Sequence, residues 1–459
     1  MSDNFLKRIT IWSALGTLMI GAFAAGRQIG IGSVHAFREL HWLLAADNGK
    51  QVALKLGLDP QTNNVPPSDI FSNVVDYVHL KYVRGYGGDQ TLSDGALSGL
   101  VASLDDPYTS FLKPDMGAAE QSALRGHYQG IGAVLTITRR KLKDVTYRYL
   151  TVMSVLPDSP AANAGIQSGD HITDIDGHWI IAYSIIADVN RISIADKNNP
   201  AAARKDMNQV ATHFKSGYSL TRAISLLSEG TGKSYHITLT RTGNASPIQR
   251  TLTTRDTQVP PISIQTLPGD IGRLTLHQFN EADAGALSRT ILSAGRLKGL
   301  IIDLRQNPGG MEANMSSGDD GFQTYQTLIS LLTPGGKAAV LEEKPGHFVP
   351  VQIKRAPGAL HLPMIVLVDG GTSGIAEMAA AALRSLGNAK IMGAHTFGDG
   401  ILQYFAPLSS GACLEIATAH VRTEENQNLS LGITPAYPLP PSQLRGEDAV
   451  VSAAHILKS

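Results

Sequence analysis

The chain has 459 residues but a single cysteine, no net charge (39 Lys plus Arg against 39 Asp plus Glu), and a charged share of only 17%. One cysteine excludes an intramolecular disulfide framework and any multi-cysteine zinc or iron-sulfur centre. The charged share falls below a usual ~25%, and the zero balance lacks the basic surplus that nucleic-acid binding draws on, so no nucleic-acid partner is expected. The 14 histidines form no recognisable metal-ligand motif, and neither a metal nor a cofactor is expected. Cys413, in the alternating run Gly411-Ala412-Cys413-Leu414-Glu415-Ile416-Ala417-Thr418-Ala419, reads as an inert buried thiol on a strand.

What is present is enough apolar material, 43% of the residues, to build several cores. At ~100 to 200 residues per domain the length suits two to four units. Near the N-terminus, Lys7 and Arg8 precede an uncharged apolar run from Ile9 to Gly26, long enough to cross most of a bilayer as a helix rising ~1.5 Å per residue. Residues 1–33 are therefore expected to act as a signal anchor or signal peptide. The basic flank would hold that end in the cytoplasm and the remainder would lie on the far side of the membrane. Ala22-Phe23-Ala24 has the small-x-small form of a cleavage site, while the length of the run and Arg27 at its end favour an uncleaved anchor. A buried helix of the fold is the alternative. No second such run follows.

Residues 34–125 read as a helical region. Val34 to Leu56 has a mixed helical pattern, Pro60 to Pro67 a linker, and Ile70, Val74, Val75, Val78, Leu97, Leu100, Val101 and Leu104 recur at helical spacing. Residues 126–257 are β-rich. Within them, Ser159 can cap a short helix that has Pro160 at its first position and Gly165 at its end. Asp176-Gly177 signals a hairpin turn. The order Gly130-Ile131-Gly132-Ala133, Ser159-Pro160-Ala161-Ala162, Ala164-Gly165-Ile166, Gly169-Asp170 and Ile175-Asp176-Gly177 resembles a PDZ domain. That resemblance implies that amides of Gly130, Ile131, Gly132 and Ala133 grip a peptide carboxylate while the peptide extends the sheet. Residues 180–222 depart from the pattern as an insertion. From 258 to 440, strand-like runs at Gly272–Leu276, Gly299–Leu304 and Met364–Val368 alternate with helical ones, as in parallel α/β sheets buried on both faces. Residues 441–459 read as a C-terminal tail.

Further motifs are Leu104-Asp105-Asp106-Pro107-Tyr108-Thr109-Ser110-Phe111-Leu112, Asp303-Leu304-Arg305-Gln306-Asn307-Pro308-Gly309-Gly310, Thr396-Phe397-Gly398-Asp399-Gly400 and Gly432-Ile433-Thr434-Pro435. With the PDZ elements, they resemble the carboxyl-terminal processing (tail-specific) proteases over most of residues 70–440. The resemblance implies an α/β protease core with a ClpP/crotonase-like superhelical sheet, an inserted, mainly β PDZ domain and an N-terminal helical region. It also implies an envelope serine endopeptidase, on the periplasmic side of the inner membrane, that recognises peptide C-termini or unfolded tails. The oligomeric state stays open.

Such enzymes pair a serine nucleophile with a lysine base, because a partly desolvated lysine is neutral enough to take the hydroxyl proton. Aligned through Glu377, the nucleophile position here is Gly374, and the base position is Asp399, four residues before the matching Gln403. Both chemical groups are replaced. Backbone amides of Gly309 or Gly310 and of Ile375 are implied as a surviving oxyanion hole. The expectation is a non-catalytic binder of tails or of a partner protein. One alternative is a relocated nucleophile, Ser373, with His395 as base and Asp399 or Glu377 in support. The plainer readings are an N-cap for Ser373, a surface or packed His395 and a turn residue for Asp399. A further alternative is an adaptor acting through the insertion or through residues 311–322.

Overall fold

A computed structural model describes residues 67–458 except 86, 107, 143–144, 183–199, 281–282, 311–320 and 445. The apolar run Ile9–Gly26 lies outside the described residues; among those described, no helix is long and apolar enough to cross a membrane. The chain divides into two compact units at Ala96 and Leu97. Helix α1 (Pro67–Lys81) belongs to the first, and α2 (Asp89–Ala102) runs across the division. Pro67, expected to close a linker, is the first residue of α1, where a missing N–H costs nothing.

In the second unit a short strand β1 (Ser110–Leu112) and helix α3 (Pro114–Leu124) lead to β2 (His127–Tyr128). The PDZ region follows as β3 (Ala133–Leu142), β4 (Val145–Val155), α4 (Pro160–Asn163), β5 (His171–Ile175), β6 (His178–Trp179), α5 (Pro200–Ser216), α6 (Leu220–Ser228), β7 (Ser234–Thr240) and β8 (Ile248–Thr253). Its sheet order is β3-β4-β5-β7-β8 with β6 beside β5, so β3 is an edge strand. The turn chemistry explains the path. Ser159 Oγ accepts the Ala162 N–H at 3.0 Å, Gly165 has φ +71, and Asp176 and Gly177 both have positive φ between β5 and β6, as a two-residue I′ turn demands. A core of Leu150, Val152, Ile172, Ile175, Ile237 and Leu239 is closed by Ala223 and Leu227 of α6. Strand β9 (Thr257–Gln258) then pairs antiparallel with β2.

The α/β core opens with β10 (Ser263–Leu267), β11 (Ile271–Thr275), α7 (Asp283–Leu292), β12 (Gly299–Asp303) and α8 (Gly321–Leu332). A hairpin of β13 (Gly335–Lys344) and β14 (His347–Lys354) follows, then β15 (Met364–Val368), α9 (Ile375–Gly387) and β16 (Lys390–Gly393). A second hairpin, β17 (Ile401–Pro407) and β18 (Cys413–Arg422), precedes β19 (Tyr437–Pro438) and α10 (Asp448–Lys458). One sheet runs β10-β11-β12-β15-β16-β19, parallel throughout except for the antiparallel β10. Its strands are buried on both faces: Leu300 and Ile302 pack with α7, α8 and α9, while Ile301 packs with Ala449, Val450 and Ala453 of α10. Residues 441–459, expected as a tail, thus include a helix that covers one face of the sheet. Small residues at helical spacing allow α10 to approach the strands closely.

The second sheet, β1-β18-β13-β14 with β17 on β18, is antiparallel; of its strands, only the run carrying Cys413, which is β18, is anticipated by the sequence. Through Leu341, Val351, Ile353, Leu402 and Val421 it covers the other side of α8 and α9. Cys413 is buried at its margin with Leu112 and Phe405.

Candidate active site of the core

The site is assembled where three loops meet at the C-terminal ends of β12, β15 and β16. The first follows β12. Asp303 is held by two arginines, Arg305 Nη2 at 2.6 Å and Arg273 Nη2 at 2.9 Å. Burial alone would raise its carboxyl, but Arg305 and Arg273 outweigh that and hold it below the usual range. Arg305 also donates to the carbonyls of Leu444 and Gly446, fixing the segment that enters α10. The Asp-Leu-Arg motif is therefore a brace for the sheet. Beyond it Gln306 takes φ +55, and Asn307, fully buried, donates to the Leu276 carbonyl.

The second loop follows β15. Asp369 accepts the Gln306 and Gly371 amides on Oδ1, both at 2.9 Å, and Gln306 Nε2 on Oδ2 at 2.8 Å. Thr372 Oγ1 donates to the Leu304 carbonyl, and the Ser373 N–H to the Asn307 carbonyl. These bonds force a sharp turn into α9, with Gly374 at φ +53 and ψ −120 as its N-cap. L-residues rarely adopt this conformation, and its left-handed φ is the kind of strain stored where a nucleophile is presented on a strand-to-helix turn. A Cβ built on Gly374 would stand 3.6 Å from Asp399 Oδ2 and 3.8 Å from the Pro308 carbonyl, so the space for a side chain is open.

The third loop follows β16 and is clamped by Glu377. This fully buried carboxylate accepts the Gly374 N–H (3.1 Å), the Gly398 N–H (2.8 Å), the Asp399 N–H (3.0 Å) and a short bond from Thr396 Oγ1. Four donors tie the turn of α9 to the loop that carries Asp399. Burial still pushes Glu377 up to about 7, with the Asp399 charge adding to it against those hydrogen bonds. Asp399 itself is 7% exposed, and burial pushes it up to about 7 as well. Its Oδ2 accepts a long bond from Ser373 Oγ (3.4 Å), and its Oδ1 has no partner among the described residues.

Gly374, Asp399, Ser373 and Glu377 are therefore brought together. Ser373 is fully buried and is not the N-cap, which falls on Gly374. His395 is exposed and engages Thr434 Oγ1 at 3.1 Å, outside this group. Gln403 Nε2 donates to the Tyr108 carbonyl at 2.8 Å. That bond, with the Ala417 N–H on Thr109 Oγ1 and β1 on β18, seats the Asp-Pro-Tyr-Thr motif against the core. Tyr108 lies close enough to Asp399 for the charge to reinforce the rise that burial imposes on its hydroxyl, to about 12. Tyr108, Gln306 and the clamp made by Glu377 were visible as motif letters but not as parts of the site.

Of the implied oxyanion amides, Gly309 N–H donates internally to Asn307 Oδ1 at 2.8 Å, while Gly310 and Ile375 make no hydrogen bond through theirs among the described residues. In the PDZ region the Ile131 N–H donates to the Leu227 carbonyl at 2.8 Å and the Gly130 N–H to the Gly230 carbonyl at 3.3 Å. Two of the four expected gripping amides are thus used inside the domain. Gly132 sits with Ser159 beneath it, where an added Cβ would meet Ser159 Cβ at 2.3 Å; Ala133 begins β3. Among the described residues no group of three or more His, Cys, Asp or Glu side chains is placed to hold a metal ion.

Residues 270–439 match the family model Peptidase family S41, and residues 151–197 match that of the PDZ domain. The chain therefore carries a peptidase family S41 domain with an inserted PDZ domain. It is 26% identical over 397 residues to a carboxy-terminal-processing protease of Bartonella bacilliformis, covering 84% of this chain and 79% of that one. A chloroplastic C-terminal processing peptidase of Tetradesmus obliquus is 27% identical over 354 residues (76% and 68%). Among solved structures, the photosystem II D1 C-terminal processing protease superimposes with a TM-score of 0.58 at 21% identity, over 85% of this chain and 91% of that one. That likeness shows the S41 fold.

Proposed function

We propose that this chain is a non-catalytic member of its family that captures peptide C-termini or unfolded tails through the PDZ domain, on the periplasmic side of the inner membrane. One observation carries the reading. The strained turn that would present a nucleophile is retained at Gly374, which has no side chain, and the group facing it is Asp399 in place of a base lysine. A carboxylate there has no hydroxyl at residue 374 to activate. The capture half of the reading is supported by β3, an edge strand lying beside α6, since an added peptide strand needs such an edge. The placement in the envelope is supported by Lys7, Arg8 and the apolar run that follows.

Purified protein incubated with an unfolded substrate is expected to leave it intact while binding its free C-terminus; turnover abolished by Ser373→Ala would overturn the reading. The rival, an endopeptidase using Ser373, draws on the 3.4 Å approach of Ser373 Oγ to Asp399 Oδ2. Against it stand the full burial of Ser373 and the engagement of His395 elsewhere. A serine-reactive phosphonate separates the two, because only an activated Ser373 becomes labelled. The adaptor reading, through 180–222 or 311–322, predicts that deletion of 196–204 abolishes partner capture while tail binding persists.

A further inference from the structure

The substitutions at the active site leave a set of groups with no use inside the protein. The N-terminus of α9, a helix of 13 residues, has its Ile375 N–H beside the position of the missing side chain and without a hydrogen bond among the described residues, and the Gly310 N–H is likewise uncommitted among them. Gly309 and the Ser373–Ile375 segment are in close contact: a Cβ on Gly309 would lie 2.9 Å from the Ile375 nitrogen. Facing the same place is Asp399, nine-tenths buried, with Oδ2 only 3.6 Å from where a Gly374 Cβ would be and Oδ1 without a partner among the described residues. An unpartnered buried carboxyl oxygen costs free energy unless something completes it.

We propose that this vacated slot is a binding site for the C-terminal carboxylate of a peptide, with one carboxylate oxygen on the Ile375 and Gly310 amides and the other sharing a proton with Asp399. The inference rests on the reading that the site does not cut. The chemistry of the donors selects the ligand. A cation would be repelled by the positive end of α9 and would find amide hydrogens around it. A peptide carbonyl offers one oxygen, which the amides would take, leaving Asp399 as it was. A carboxylate offers two, matching both donors at once, provided that Asp399 carries its proton.

That proviso makes the site sensitive to pH. The groups facing Asp399 are Ser373 and Glu377 around the start of α9 and Tyr108 from the loop before β1, with Asp106 and Arg139 acting on Tyr108. Burial pushes Asp399 up to about 7. It is then mostly protonated at pH 5.5 and only about a tenth protonated at pH 8, so the apparent affinity for a carboxylate should weaken about tenfold between them. Amides of the PDZ loop do not titrate, so tail binding there should stay level over the same range.

The test uses the full chain, labelled for amide NMR, with N-acetyl-Ala-Ala as the free acid and as its C-terminal amide. The expected result is movement of the Ile375 and Gly310 resonances with the acid alone, about tenfold tighter at pH 5.5 than at pH 8. Asp399→Asn supplies a permanent N–H donor and should bind the acid equally at both pH values, which a damaged fold would not do. Equal binding of the amide, or a pH dependence surviving in Asp399→Asn, would overturn the proposal. Movement confined to residues 130–133 would overturn it while leaving PDZ capture standing. No movement at either place, repeated with a ten-residue free-acid peptide, would sink both.

Discussion

The backbone N–H of Val155, in strand β4 of the PDZ domain, donates to Gln306 Oε1 in the core at 3.0 Å. The other end of the same amide reaches Asp369 Oδ2 at 2.8 Å, and Asp369 holds the turn that leads to Gly374. One side chain thus spans from the PDZ domain to the support of the turn that carries Gly374. Gln306→Ala removes both bonds and is expected to cost about 1–3 kcal/mol, since a buried acceptor and donor lose their partners. Hydrogen exchange reads the effect locally: the Val155 amide should exchange faster, while Leu150 and Val152, in the domain's own core, stay protected.

Asp399→Asn separates charge from shape. The carboxyl is raised from 3.8 to about 7 by burial, so the folded state binds a proton that the unfolded state has already released. Stability from this group is complete below pH ~4 and is lost as pH rises towards 7. The loss amounts to at most about 4 kcal/mol at about 1.4 kcal/mol per pH unit. The variant should match the parent at pH 4 and exceed it at pH 8. Thermal melts at the two pH values check this; a variant weaker than the parent at pH 8 would contradict it.

Glu377→Gln should be costly for the opposite reason. The carboxylate accepts from four donors, and an amide nitrogen accepts from none, so the bonds to one oxygen are lost. A loss of about 2 kcal/mol or more in urea unfolding is expected. A neutral outcome would mean that Glu377 is already protonated and that the clamp is weaker than its geometry.

Restoring the hydroxyl alone should fail. Gly374→Ser places an L-residue at φ +53, at a cost of about 1–3 kcal/mol, opposite a carboxylate in a site with no lysine. The single variant should melt lower and remain unlabelled by a serine-reactive phosphonate. Gly374→Ser with Asp399→Lys should acquire labelling, because a buried lysine beside the hydroxyl loses its proton readily. If the single variant were labelled as strongly as the pair, Asp399 would be a competent base.

Much of the scaffold was legible because its signals are local. Met364–Val368, an unbroken apolar run, is the central strand β15, and Ser159-Pro160 and Asp176-Gly177 perform the cap and turn that their chemistry dictates. The antiparallel sheet was not legible beyond the run carrying Cys413. Strands β13 and β14 carry Glu342, Lys344 and Lys354 along half-exposed faces, and β1 pairs with β18 some three hundred residues away, as Ser110 with Glu415. At the site, residue types singled out Gly374 and Asp399, which the fold brings together, but the outward turn of His395 and the burial of Ser373 depend on backbone geometry around Gly374 that no spacing encodes.

The pairing of β2 with β9, His127 with Gln258 and Tyr128 with Thr257, joins the two strands of chain by which the PDZ domain leaves and re-enters the core. Across such a pair the backbones are only ~5 Å apart. The core therefore sees about 130 residues as though they were a tight turn, and the entropy of closing so long an excursion is absorbed by the domain's own folding. The excursion has room for a further helix, Pro200–Ser216, while its two ends stay paired at β2 and β9. The same property lets the core and the PDZ domain change at different rates, since neither depends on the other's length to keep its own packing.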